Sequence, residues 1–270
     1  MLKIIKIEKL KMKYKIDFEN EKSIYILEDT LIKFNIFKSK EITKKTYEEI
    51  LNYNTLEERF NNSVNYLSYG LRSEYELKEY IIKKQKEKNL SPLTDNDINK
   101  ILLKLKSLDY INDDRYTKLA TESYFNLKKK GPKWIKKKLF EKRIEESVIN
   151  KHLKIICTTE KINDNIYNVI ETSYPKLLYP KAKKIQKIKE KLFNNGYPLS
   201  NINEMFDIFF EDYIEEDNDD LLEREFNKIV EKFSKKYEDS YTLKRKLTEK
   251  LTRSGFGYYE VKDFLENKEW

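Results

Sequence analysis

The chain has 270 residues but one cysteine, Cys157, and one histidine, His152. A single thiol excludes an internal disulfide, and the two residues fall short of the roughly four His and Cys ligands of a zinc site. Glycine and proline number only five each, which leaves few positions for turns. Gly70, Gly131, Gly196, Gly255 and Gly257 build neither a G-x-x-x-x-G-K-[ST] phosphate loop nor a G-x-G-x-x-G dinucleotide fingerprint. Long apolar runs are missing as well. No stretch approaches the roughly 20 apolar residues of a membrane helix, and "MLKIIKIEKLKMK" breaks its apolar runs with lysine, unlike a cleavable signal. His152 has no Ser or Cys nucleophile at a suggestive spacing and is read as structural. The expectation is a cytoplasmic protein without membrane segment, metal or cofactor, and not an enzyme.

What the chain does have is charge. Charged residues make up 38% of it, alongside abundant Leu and Ile, a mixture that favours long helices joined by short loops. Aromatic residues at 13% supply enough apolar bulk for a folded core. The net charge of +8 is unevenly spread: residues 128–154 hold eleven Lys and Arg against three acids, while residues 204–225 hold eleven acids against one Arg. A basic pole invites a polyanion, and an acidic one repels it or seeks a basic protein surface.

From Leu10, the residues Leu10, Met12, Tyr14, Ile16 and Phe18 alternate with polar ones, the period of a half-buried strand. "ENEK" then turns the chain into "SIYIL". Such a hairpin is marginal alone and is expected to dock on helices. Beyond residue 28 the spacing becomes helical, first in short pieces ("EDTLIKFNIF", "TKKTYEEIL"). Ser73 followed by Glu76 forms a capping box that starts a helix near Glu74, and Asn112 or Asp113 caps another.

A repeat emerges from apolar positions alone. Ile135, Leu139, Ile144, Ile149 and Leu153 are stepped by 4, 5, 5 and 4 residues; Ile188, Leu192, Tyr197, Ile202 and Phe206 have the same steps, and so do Leu247, Leu251, Phe256, Val261 and Leu265. The central residue of each copy follows a turn, "EKRI", "NNGY" or "RSGF", and Gly196 and Gly255 stand where a left-handed helix terminus prefers glycine. Leu77, Ile81, Ile98 and Leu102 read as an earlier copy with the insert "KKQKEKNLSPLTDND". "DDRYTKLATESYF" and "DDLLEREFNKIVEKF" supply third helices. The expected fold is mainly α: tandem three-helix repeats in an elongated array behind a small N-terminal β-hairpin. The expected divisions are 1–60 (hairpin and short helices), repeats over 61–127, 128–180 and 181–239, and a partial repeat over 240–270.

"KKKGPKWIKKK", residues 128–138, is the most basic stretch. Pro132 suits the first turn of a helix. With Ile135 facing the core, Lys136, Lys133 and Lys137 fall at about 100°, 160° and 200° around the helix axis, on the outer face. Free amides beside Gly131 could receive a phosphate oxygen, whereas a solvated lysine face is the plainer reading. Trp134, off the ridge at about 260°, either fills a neighbouring interface or stacks on a base. The acidic "EDYIEEDNDDLLERE" reads as a loop with helix caps before it reads as a metal or protein site. Asp113 and Asp114 as Mg²⁺ ligands of a nuclease are a weaker reading than ordinary capping.

"YLSYGLRSEYELKEYI" and "LKSLDYINDDRYTKLATESYFNLKKKGPKWIKKKLFEKRI" resemble the RecX family of bacterial recombination regulators, with its "RSEKEL" run, "GYIDD-RF" turn and "KGP-I--EL--KGI" pattern. The likeness covers most of residues 10–154, and the later copies by spacing. It departs at Asp109 and Arg143, where the family usually has glycine, at Asn112 for the first acid and at Tyr116 for phenylalanine. The resemblance implies a non-enzymatic regulator, usually an inhibitor, that binds along the RecA–DNA filament and modulates its ATPase and strand exchange. The expected partners are the RecA filament and single-stranded DNA, with double-stranded DNA as a secondary partner, met by a monomer. The expected contact residues are Lys128, Lys129, Lys130, Lys133, Trp134, Lys136 and Lys137, with Arg72, Arg115, Lys181, Lys183 and Lys184. A free-standing DNA-binding repeat protein is the alternative.

Overall fold

The computed structural model describes residues 1–87, 92–213, 219–237 and 239–268. Parts of the insert and of the acidic stretch read above therefore lie outside the described residues. The chain divides into two compact units, Met1–Thr117 with Lys142–Ile144, and Lys118–Glu141 with Glu145–Trp270.

The first unit opens with strands β1 (Leu2–Lys9), β2 (Tyr14–Phe18), β3 (Ile24–Ile26) and β4 (Glu41–Ile42), paired antiparallel in the order β3-β2-β1-β4. The expected hairpin is β2–β3, but its first strand begins at Tyr14 and not at Leu10. Leu10 and Met12 are 38% and 80% exposed, in the turn that links β1 to β2. Strand β1 escaped the alternation test because its register shifts between Ile4 and Lys6. Ile4 is buried while Ile5 beside it faces out, and the bulge breaks the period of two on which the test depends.

Helix α1 (Glu28–Lys33) leads to α2 (Lys44–Ser68), so that "TKKTYEEIL" is only the start of a 25-residue helix. The Thr43 side chain accepts from the Thr46 amide and caps it. Ile50 on α2 completes a core with Ile4, Ile16 and Ile26 of the sheet. Buried Asn54 ties the layers together: its Oδ1 accepts from the Leu27 amide at 2.8 Å and Thr30 Oγ1 at 3.1 Å, and its Nδ2 donates to the Tyr25 carbonyl at 3.3 Å. The far half of α2 packs on α3 (Glu74–Glu87) and α4 (Asp95–Ser107), over Leu77, Ile81, Ile98, Ile101 and Leu105. Both Ser73–Glu76 and Thr94–Asp97 form reciprocal capping boxes. Helix α5 (Asp113–Glu122) is capped by Asn112, whose Oδ1 accepts from the Arg115 amide at 3.0 Å.

The second unit continues from α5 through a π-helical turn, Ser123–Leu127, into α6 (Pro132–Glu141), α7 (Glu146–Ile156), α8 (Thr159–Ser173), α9 (Lys181–Asn194) and α10 (Leu199–Asp212). Helices α11 (Asp219–Ser234), α12 (Ser240–Arg253) and α13 (Tyr258–Asn267) follow. Helix α6 begins at Pro132, as its missing amide allows. The stepped apolar residues are buried in every copy except at Leu153, which is half-buried; His152, one residue earlier, points inward at 5% exposure. Each fully buried Leu or Ile stabilises the unit by about 1.5–3 kcal/mol. Helix α8, not read from the sequence, occupies the third-helix place after α7 and packs on α10 through Tyr167, Tyr174 and Phe209.

The turns have the backbone that the repeat requires. Arg143, Gly196 and Gly255 all adopt positive φ, at 57°, 88° and 106°. After α9 and α12 the turn closes with bonds from Tyr197 to Leu192 and from Phe256 to Leu251, as in a left-handed helix terminus. Asp109 ends α4 in the same way at φ 55°, with Tyr110 bonded to Leu105.

Candidate nucleic-acid interface

One joint recurs, in which a helix-to-helix turn rests on the start of an earlier helix. In the first unit, Lys142 Nζ donates to Glu76 Oε1 at 2.6 Å and the Arg143 guanidinium lies 5.9 Å from the Tyr75 ring, so this turn covers the start of α3. Burial opposes ionisation of Glu76, but the bonds from Lys142 and the Ser73 amide outweigh it and hold the carboxyl below its ordinary value. In the second unit, the Gly131 amide donates to the Asn195 carbonyl at 2.7 Å and the Lys133 amide to the Gly196 carbonyl at 3.1 Å, at the start of α6. A Cβ on Gly255 would meet Lys183 Cβ at 3.1 Å and Pro180 Cβ at 3.6 Å, at the start of α9. Gly131 and Gly196 touch so closely that a Cβ on the first would stand 2.4 Å from the carbonyl carbon of the second.

This geometry corrects the idea that free amides beside Gly131 wait for a phosphate. Those of Gly131 and Lys133 are already bonded, and a Cβ on Gly196 would stand 2.3 Å from the Trp134 nitrogen, so the turn covers that amide too. Trp134 itself packs in the joint, edge-on to Tyr124 at 5.2 Å, with the ammonium groups of Lys130 and Lys138 5.3 and 5.7 Å from its ring. It is half-buried, and its packing role is the one the geometry displays.

The lysines separate into held and unheld groups. Lys128 sits 5.0 Å from the Tyr124 ring, Lys129 donates to Asn165 Oδ1 at 2.9 Å, and Lys130 donates to Asn195 Oδ1 at 2.6 Å. Lys136 pairs with Glu146 at 2.6 Å, and this bond keeps the glutamate carboxyl below its ordinary value. Lys133 and Lys137 are exposed and, among the described residues, have no ion-pair partner. On α9, Lys183 lies 5.2 Å from the Tyr179 ring and Lys181 4.3 Å from Phe210. Lys184, among the expected contact residues, is only 8% exposed, with its ammonium 4.9 Å from the Tyr174 ring.

Arg72 and Arg115 come together in the first unit, lining one pocket of about 380 Å³ with Asp109 and Tyr110. Arg115 is clamped by Asp109, through Nη1 to Oδ2 at 2.5 Å and Nη2 to the carbonyl at 2.8 Å. The guanidinium holds the Asp109 carboxyl below its usual range, with help from Asn112. Arg72 Nε donates to the Tyr66 hydroxyl at 3.2 Å. Asp113 Oδ1 accepts from the Glu74 amide at 2.9 Å, capping α3, and burial raises its carboxyl above the ordinary value. Among the described residues, no three His, Cys, Asp or Glu side chains converge as metal ligands, and no helix is long and apolar enough to cross a membrane.

A family model for the second three-helix domain of RecX matches residues 112–153. The chain is 32% identical over 273 residues to the regulatory protein RecX of Lactococcus lactis subsp. cremoris strain SK11, covering 99% of this chain and 98% of that one. The chain belongs to the RecX family. The regulatory protein RecX of Streptococcus gordonii strain Challis is 30% identical over 266 residues, covering 98% of this chain and 99% of that one. A crystal structure of regulatory protein RecX superposes with a TM-score of 0.63 at 26% identity, over 77% of this chain and all of that chain. RecX from Lactobacillus salivarius gives 0.50 at 26% identity, over 56% and 94%.

Membership of the RecX family gives physical meaning to the departures from its pattern. Asp109 and Arg143 stand where the family usually has glycine, and both occupy left-handed backbone, at φ 55° and 57°. Aspartate tolerates that conformation through local hydrogen bonds, and here it also clamps Arg115. Asn112 keeps the acceptor that caps α5, and Tyr116 keeps the aromatic bulk at 7% exposure. Sequence reasoning missed Asn165 and Asn195 as lysine partners, since no local spacing links them to residues 129 and 130. The glycine before the central residue in two of the copies, Gly196 and Gly255, was the one signal that could have pointed to the joints.

Proposed function

We propose that this RecX-family protein regulates the RecA recombinase, as an inhibitor that binds along the RecA–DNA filament and modulates its ATPase and strand exchange. The family assignment over nearly the full chain carries the reading, because the matched relatives are named regulatory proteins. In this proposal the protein acts as a monomer, and its repeats over 61–127, 128–180 and 181–239, with the partial repeat over 240–270, span recombinase subunits. Lys133 and Lys137, exposed and without an ion-pair partner among the described residues, are the strongest of the expected phosphate contacts. The held cations Lys128, Lys129, Lys130, Lys136, Lys181 and Lys183, together with Arg72 and Arg115, add positive field in a supporting role. Trp134 acts in the joint.

The test is RecA ATPase on single-stranded DNA with and without the protein. Loss of ATPase at substoichiometric protein, together with tighter binding to RecA-coated than to bare DNA, is the expected result. Equal affinity for coated and bare DNA with unchanged ATPase rejects the proposal.

The unpartnered state of Lys133 and Lys137 also favours a second reading, a DNA-binding repeat protein that needs no recombinase. A protein neutralising six to ten phosphates loses about 10³ to 10⁵ in affinity between 50 and 200 mM salt. The double substitution Lys133→Glu and Lys137→Glu reduces that slope on bare DNA if this reading holds, and leaves it unchanged if the two lysines are only a solvated face.

A further inference from the structure

Helices α12 and α13 enclose a groove of about 560 Å³ that none of the expected contact residues reaches. That volume is typical of sites that hold a ligand of moderate size, roughly 300–1,000 Å³. The sequence dictates its chemistry. Leu243, Leu247 and Leu251 turn one stripe of α12 into the core, which sends Tyr241, Arg245 and Thr248 to the opposite side by helical spacing. The groove is walled by Tyr241, Lys244, Arg245 and Arg253 from α12, and by Tyr258 and Lys262 from α13.

Two features make this wall unusual. Tyr241 and Tyr258 are 75% and 54% exposed, and Tyr258 stands edge-on to Tyr259, itself 83% exposed, at 5.5 Å. Such rings are normally covered in part, yet Tyr241 at the start of α12 and Tyr258 and Tyr259 at the start of α13 all lie open. The cations of the wall outnumber its acids. Glu249 is bonded to Lys246 at 2.8 Å, and Glu266 lies 3.7 Å from Lys262. Arg245 and Arg253 are exposed and, among the described residues, have no ion-pair partner. Bases present π-faces to open rings and phosphates present charge to guanidinium groups, so interleaved Tyr and Arg match both halves of a nucleotide. An acidic peptide would satisfy the arginines but leave the rings in water. A duplex would match the cations while keeping its bases stacked inside, beyond reach of the rings.

We propose that the α12–α13 groove binds single-stranded nucleic acid, with bases stacked on Tyr241 and Tyr258 and phosphates held by Arg245 and Arg253. The contact belongs to the C-terminal helix pair and does not require the recombinase, so it stands or falls apart from the filament reading.

The full-length protein is titrated into a fluorescein-labelled oligo(dT) and into a duplex of equal length, without recombinase, at several salt concentrations. Tyr241→Ala and Tyr258→Ala each lower oligo(dT) affinity by roughly 5- to 150-fold, the range for loss of one stacked base, and leave the salt slope intact. Tyr241→Phe retains binding. The pair Arg245→Ala and Arg253→Ala reduces the single-strand salt slope by about 1.4, at about 0.7 for each phosphate contact. Circular dichroism of every variant matches the parent, since all four side chains are exposed. Unchanged oligo(dT) affinity in both tyrosine variants overturns the proposal, and so does equal loss of duplex and single-strand binding. A protein that binds oligo(dT) through this groove, yet leaves RecA ATPase untouched and binds coated and bare DNA equally, keeps this inference and removes the filament reading.

Discussion

Gly196→Ala is expected to be among the most damaging single-methyl additions in the molecule. At φ 88° the new residue sits in backbone that L side chains avoid, at a cost of about 1–2 kcal/mol. Its Cβ would also fall 2.3 Å from the Trp134 nitrogen and 2.6 Å from Trp134 Cβ, atoms fixed by the first turn of α6. Forcing these apart adds about 1–3 kcal/mol, the usual cost of overpacking. The sum is about 2–5 kcal/mol. Gly255→Ala is the matched control, because it shares the backbone cost at φ 106° but its tightest contact is Lys183 Cβ at 3.1 Å, a separation that a small shift relieves. Its cost is set at about 1–2 kcal/mol by the backbone alone. Gly131→Ala carries no positive-φ cost but drives a Cβ to 2.4 Å from the Gly196 carbonyl carbon, and its effect should couple strongly with that of Gly196→Ala. Urea unfolding followed by Trp134 fluorescence, in a Trp270→Phe background, reads the joint directly. With a slope of about 3 kcal/mol per molar urea, Gly196→Ala lowers the midpoint by about 0.7–1.7 M. If it costs no more than Gly255→Ala, the close seat of this turn on α6 is wrong.

Three further substitutions or reagents probe buried or half-buried groups. Tyr197 is fully buried, its hydroxyl has no partner among the described residues, and burial pushes its ionisation up to about 12; Tyr197→Phe is therefore neutral or stabilising by about 1 kcal/mol in urea unfolding, and a clear loss would reveal a hidden bond. Asp113 has its carboxyl raised in the fold, so the folded state holds that proton more tightly than the unfolded chain does; its ionisation weakens the fold as pH rises through the carboxylate range, and the penalty is complete above the folded value. Asp113→Asn keeps an acceptor for the Glu74 amide without the charge and should match or exceed the parent at pH 7, with the gap closing on acidification, whereas Asp113→Ala loses the cap at about 1 kcal/mol. Parallel urea curves at pH 3 and pH 7 decide this. Cys157 is buried with its thiol pushed up to about 12, so native protein should react with a disulfide reagent only at the rate of unfolding; rapid labelling at pH 8 without denaturant would contradict the burial.

Much of the helical order was legible from local rules. The capping box at Ser73 and Glu76, the start of α6 at Pro132 and the left-handed turns at Gly196 and Gly255 each depend on residues within a few positions of one another. Periodicity failed where the backbone departs from regular repeats. The bulge in β1 hid a strand, and the inward turn of His152 in place of Leu153 shifted the buried stripe of α7 by one residue. The candidate site was legible only as a density of charge. Helical spacing put Lys133 and Lys137 outward, and the structure agrees, but nothing in their neighbourhood distinguishes them from Lys129 or Lys130, whose partners are 36 and 65 residues away.

The sequence by itself determined the starts of α3 and α6, the left-handed turns after α9 and α12 and most of the stepped apolar stripe, because capping, turn backbone and side-chain period act over a handful of residues. Only the tertiary structure decided which cations remain free, that Lys184 is buried against Tyr174, and that the amides beside Gly131 are spent on another turn. Those outcomes depend on which groups the tertiary packing brings together, and hydrogen bonds and ring contacts are too short-ranged for composition or spacing to foretell them.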